Sequence, residues 1–118
     1  MRSHIFFVIV LFCILSPFFV FNTLFAGNIA LENEEQVNIF NQGVSFYNAN
    51  NYEAVVKAMT LLIKKNPNVP EVYNLRGNAY YSLEEYDLAI KDFSEAIKIN
   101  IEFADAYRSR AESYRLQK

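Results

Sequence analysis

The amino-acid sequence predicts an all-α protein made of duplicated helix pairs behind an apolar N-terminal helix. Three observations carry this. Similar residues recur at a fixed step of 34: Gly43, Gly77 and Ala111; Phe46, Tyr80 and Tyr114; Ile39, Tyr73 and Tyr107. The same step links Tyr52 to Tyr86, Met59 to Phe93, and Glu53 to Asp87. Within each unit the apolar residues fall at helical rather than alternating spacing.

The N-terminal segment stands apart in composition. Ile5 to Ala26 holds no charged residue, and every acidic residue lies at Glu32 or later. A single arginine, Arg2, precedes the run, and Leu24-Phe25-Ala26-Gly27 closes it. That order is the order of a secretory signal, with a cut expected after Ala26. As a helix the run would span about 33 Å, the thickness of a bilayer core, so an uncleaved anchor is the alternative. Residues 1–26 are therefore a signal or an anchor, and 27–35 a linker. In either case the start stays inside and the remainder is exported, to the periplasm, to the medium, or to the outer side of an inner membrane.

The composition of the remainder narrows its chemistry. Cys13 lies inside the apolar run, and no cysteine or histidine follows Ala26. Disulfides, cysteine nucleophiles, histidine bases and the common zinc sites are thus not expected there. Across the whole chain, eleven Lys/Arg against thirteen Asp/Glu give a net charge of −2 with no basic stripe, so nucleic acid is not an expected partner. The carboxylate pairs Glu34/Glu35 and Glu84/Glu85 fall in a linker and a turn and read as solvated surface. No enzyme activity, cofactor or metal is expected.

The helix pairs follow one after another. In the first unit Ile39, Gly43 and Phe46 form one stripe, and Tyr52, Val55, Met59, Leu62 and Ile63 the next, with the polar turn Asn48 to Asn51 between them. Pro67 and Pro70 end the helix before them. In the second unit Tyr73, Gly77 and Tyr80 lie at i, i+4 and i+7. Tyr86, Ala89, Ile90, Phe93, Ala96 and Ile97 then form a second stripe whose other side is charged. A glycine inside a helix costs about 1 kcal/mol against alanine. Two at the same repeat position point to close helix packing. The last stretch, 104–118, shows one apolar stripe, Tyr107, Ala111 and Tyr114, and is charged elsewhere. That is expected of a capping helix, at which the repeat array would end.

At this point the sequence resembles the tetratricopeptide repeat. The unit 70–103 carries Tyr73, Gly77, Tyr80, Tyr86, Ala89, Phe93 and Ala96 in the family's register. It departs at Ile101, where the family closes on proline, and at Arg76, where leucine is commoner. Unit 36–69 is a weaker match, and 104–118 matches only a first helix. The resemblance covers 36–118 and implies two and a half repeats: about five antiparallel helices in a right-handed superhelix (an α-solenoid). It also implies a concave face for a protein or peptide partner. Stability would be modest, which leaves room for a homodimer.

In the family, the first helix of each unit lines the groove. Carried over, Phe40, Val44 and Tyr47 would anchor an apolar side chain of the partner, while Asn74, Asn78 and Arg108 would hydrogen-bond its backbone or a carboxylate. Tyr81 and Arg115 fall on the same face. The alternative is that residues 27–35 or a second copy cover the apolar part. Some family members hold chaperone C-terminal carboxylates with Lys, Asn and Arg. The corresponding positions here are Phe40, Val44, Leu75, Asp105 and Ser109, and none matches. The expected function is a non-catalytic interaction module. A membrane-tethered assembly factor or adaptor is the alternative.

Overall fold

The computed structural model describes residues 30–118, and Leu31–Lys118 form one compact unit. The expected signal or anchor, 1–26, lies outside the described residues. Five helices follow in order: α1 Glu34–Asn48, α2 Tyr52–Lys65, α3 Pro70–Ser82, α4 Tyr86–Ile99 and α5 Ala104–Leu116. No strand occurs among the described residues.

Local chemistry sets the helix ends. The Asn33 side chain accepts from the Gln36 amide, and the Asn51 side chain from Ala54, so each caps a helix start. Pro70 opens α3, where its missing N–H costs nothing. The exits of α1 and α3 are built alike. Asn50 and Glu84 take left-handed backbone, with φ of 58° and 61°. The amides of Glu84 and Glu85 reach back to the carbonyls of Tyr81 and Tyr80, as those of Asn50 and Asn51 do to Tyr47 and Phe46. Both are Schellman closures, which return the chain sharply for an antiparallel partner helix.

Each helix packs on the next, and α1, α3 and α5 also pack side by side. The first helices of the units thus form one layer and α2 and α4 the other. Val55, Met59, Leu62, Val69, Val72, Ala79, Ala89, Phe93, Ala96 and Ala106 are fully buried between them. The repeated glycines work as expected. A Cβ built on Gly77 would lie 2.7 Å from the Phe93 ring, and one on Gly43 would lie 2.4 Å from the Met59 methyl. The large residue of the second helix is seated on the bare backbone of the first.

Two expectations about the core change. The expected α1 stripe includes Phe46, but Phe46 is 36% exposed. In α5 the buried residues are Ala106 and Ser113, while Tyr107, Ala111 and Tyr114 face outward. The reason is the order of packing. α5 meets α4 and α3 through the face that Val72 and Ala79 present in α3, one repeat earlier. The Tyr107 stripe corresponds to the face of α3 that α4 covers, and among the described residues no helix follows α5. Among the described residues the apolar stripe of α5 is therefore uncovered, unlike its counterpart on α3.

Arg76, the departure from the family pattern, is built into this core. Its guanidinium gives Asp92 two hydrogen bonds of 2.8 Å, gives Thr60 a third at 3.0 Å, and lies 6.0 and 5.9 Å from the Tyr73 and Tyr80 rings. One side chain ties α3 to both α2 and α4. Burial pushes the Asp92 carboxyl above the ordinary aspartate range, against the pull of Arg76.

Candidate peptide-binding groove

The layer of first helices carries a groove. Tyr47 of α1, Asn78 and Tyr81 of α3, and Arg108, Ser109 and Glu112 of α5 line a hollow of about 310 Å³. Each helix contributes because α1, α3 and α5 lie side by side, so residues near 47, 78 and 108 share one face. Four of the eight sequence-predicted residues meet here: Tyr47, Asn78, Tyr81 and Arg108.

The two tyrosines are braced from behind. Tyr47 meets Tyr52 edge-on, with centroids 5.3 Å apart at 66°. Tyr81 meets Tyr86 in the same way at 5.6 Å and 67°. The braces are one repeat apart, and the bracing residue opens α2 or α4. Such pairs contribute about 0.5–1.5 kcal/mol beyond area burial, and they hold the ring faces in place.

The polar groups are placed by α5. Arg108 pairs with Asp105 one turn earlier on the helix. Glu112 accepts two hydrogen bonds from Arg115, which hold its carboxyl below the usual range. Glu112 is thus charged at neutral pH. One cation, one anion, an amide and two phenols line the hollow. That set suits hydrogen bonds to a peptide main chain with apolar contact on the tyrosine rings, and it holds no nucleophile–base pair.

The other four predicted residues are placed differently. Phe40 is 9% exposed and belongs to the core, so it is no surface anchor. Its repeat equivalent is Asn74. The apolar Phe40 ring folds further inward than the half-buried Asn74 amide, and family register alone does not distinguish them. Val44 is exposed on α1, outside the lining of the hollow. Asn74 lies on α3 one turn before Asn78 and is half-buried. Its Oδ1 and the nearby Oε2 of Glu71 are shielded from water and accept no hydrogen bond. Arg115 stands at the edge, held by Glu112. Ser109, one of the clamp-equivalent positions, and Glu112 complete the lining.

Comparison with known proteins agrees with this architecture. Residues 70–103 match the family model of the tetratricopeptide repeat. Among solved structures, the TPR2B domain of yeast Sti1 in its pHsp70 complex superposes with a TM-score of 0.68 at 25% identity, covering 70% of this chain and 66% of that one. The TPR2AB domain of yeast Sti1 in its pHSP90 complex gives 0.69 at 26% identity, covering 72% and 33%. The first TPR of Spaghetti (RPAP3), bound to the HSP90 peptide SRMEEVD, gives 0.69 at 19% identity, covering 73% and 68%. No curated protein matches the chain. Residues 70–103 thus form a tetratricopeptide repeat, inside an all-α fold of the same kind as these domains.

Proposed function

We propose that the protein is an exported or membrane-tethered, non-catalytic binding module that holds a peptide segment of a partner across α1, α3 and α5. The observation that carries this is the meeting of Tyr47, Asn78, Tyr81 and Arg108 in one hollow, from three helices that the repeat sets side by side. The similar structures support the general class, since their peptides belong to HSP70 and HSP90. The partner here is of a different kind. At the positions that hold a C-terminal carboxylate in chaperone-binding relatives, this chain has buried Phe40, then Val44, Leu75, Asp105 and Ser109, and none is a cation. An internal peptide stretch, gripped through its main chain and one apolar side chain, fits the lining better than an acidic terminus.

Export rests on the uncharged run Ile5–Ala26. The intact mass of the native product tests it: a start at Gly27 supports a cleaved signal, and a full-length chain in the membrane supports the anchor. The binding reading is tested by affinity capture from the native host with the full chain as bait, comparing wild type with Tyr81→Ala and Arg108→Glu. The expected result is one partner retained by wild type and lost by both variants, while circular dichroism shows all three folded. A partner retained equally by folded variants contradicts the groove.

A further inference from the structure

The two tyrosines of the groove form a ladder. Tyr47 and Tyr81 occupy the same place in successive repeats. Both are half-buried, and the same device sets both: an edge-on ring at the start of the following helix, with centroids 5.3 and 5.6 Å apart at 66° and 67°. The rings are therefore presented alike by α1 and α3. At the third such place stands Arg115, which Glu112 holds, so the ladder has two aromatic rungs.

The spacing of the rungs selects the backbone that can cross them. Helices packed side by side lie about 8–10 Å apart. In an extended strand, residues on one side recur about every 6.6 Å. In an α-helix they recur about every 5.4 Å. In a polyproline II helix three residues rise about 9.3 Å, and residues i and i+3 share one side. Of the three forms, only the last puts successive side chains in step with α1 and α3.

The hydrogen-bonding groups agree. A proline-rich segment carries carbonyl acceptors without internal partners, and few N–H donors. The hollow offers donors: the Asn78 amide, the Arg108 guanidinium, the Ser109 hydroxyl and two phenols. The carboxylate in the lining, Glu112, already accepts two hydrogen bonds from Arg115.

We infer that the segment held in the groove is a P-x-x-P stretch of a partner protein in polyproline II form, an inference that rests on the binding reading above. One proline ring lies on Tyr47 and the next on Tyr81, and carbonyls between them accept from Asn78 and Arg108. A segment already in its bound form loses little freedom on docking. The chain itself is a poor source of it. Among residues 1–33 the only proline is Pro17. Pro67 and Pro70, though three apart, build the junction of α2 and α3, with Pro70 buried.

The test uses the full chain in detergent micelles and three fluorescent peptides. The first is Pro-Ala-Leu-Pro-Ala-Leu-Pro. The second, Pro-Ala-Pro-Leu-Pro-Leu-Ala, keeps the composition and loses the three-residue step. The third has alanine for every proline. Anisotropy should show saturable binding of the first, and binding weaker by about tenfold or more for the other two. Tyr47→Leu and Tyr81→Leu keep apolar bulk without a flat ring, and each should weaken the first peptide about threefold or more, whereas Tyr47→Phe and Tyr81→Phe should retain most of the binding. Asn78→Asp turns a donor into an acceptor and should weaken it about tenfold. Circular dichroism should show wild-type helicity throughout. The inference is overturned by equal affinity for the first two peptides, by binding that the leucine variants leave unchanged, or by an absence of saturable binding. The groove itself is judged by the capture experiment with Tyr81→Ala: a partner lost there, with none of the three peptides bound, keeps the groove and removes the proline-rich segment.

Discussion

Arg76 and Asp92 face each other across the α3–α4 seam through two parallel hydrogen bonds of 2.8 Å, with Asp92 3% exposed. Removing one partner strands a buried charge, which costs about 3–5 kcal/mol. Asp92→Ala and Arg76→Ala should each lower stability on that scale. The double variant should lose less than the sum, with a coupling of about 0.5–3 kcal/mol in a urea-denaturation cycle.

Gly43 and Gly77 occupy the same repeat position but should answer differently to alanine. At Gly43 the new Cβ meets the mobile end of Met59, which can swing aside. The helix-propensity gain of about 1 kcal/mol should then leave Gly43→Ala neutral or stabilising. At Gly77 the Cβ meets the flank of the Phe93 ring. Overpacking of about 1–3 kcal/mol should outweigh the propensity gain. Thermal melts should place Gly77→Ala below wild type by about 5 °C and Gly43→Ala at or above it.

The left-handed residues closing α1 and α3 offer a gain. Glu84, at φ 61°, is a residue type that adopts this conformation at a cost of about 1–2 kcal/mol. Glu84→Gly should therefore stabilise the fold by about 1 kcal/mol. Asn50, at φ 58°, belongs to a type that tolerates the region, so Asn50→Gly should change little. Denaturation midpoints of the two variants check the contrast.

The capping asparagines should matter in proportion to what they hold. Asn33 accepts the Gln36 amide at 3.0 Å at the start of the array, and Asn51 accepts the Ala54 amide at 3.3 Å. Replacement of either by alanine should cost about 1 kcal/mol. Hydrogen exchange should rise mainly in the first turn of α1 or α2, not across the protein.

Much of this fold was legible before any coordinates. The 34-residue step located both helix pairs, and the glycine positions told that a bulky residue would sit on bare backbone, as Met59 and Phe93 do. Four of the eight candidate groove residues line one hollow, because side-by-side first helices put Tyr47, Asn78, Tyr81 and Arg108 on one face. Three things were not legible. Phe40 turns inward, because at a boundary position the apolarity of a side chain decides its direction, and register does not encode that. The α5 stripe faces out, because the same pattern of Tyr, Ala and Tyr reads as buried whenever a next helix is assumed. The Arg76–Asp92 pair spans two helices at a spacing of 16 residues that no helical period reveals.

The central functional claim is that the partner lies against the layer of first helices. Photo-crosslinking in the native host reads this directly, with a photoreactive phenylalanine analogue placed at Tyr81 in the groove or at Leu88, 41% exposed on α4. A partner adduct at position 81 and none at position 88 is the expected result. An adduct at position 88 with none at position 81 would contradict the account.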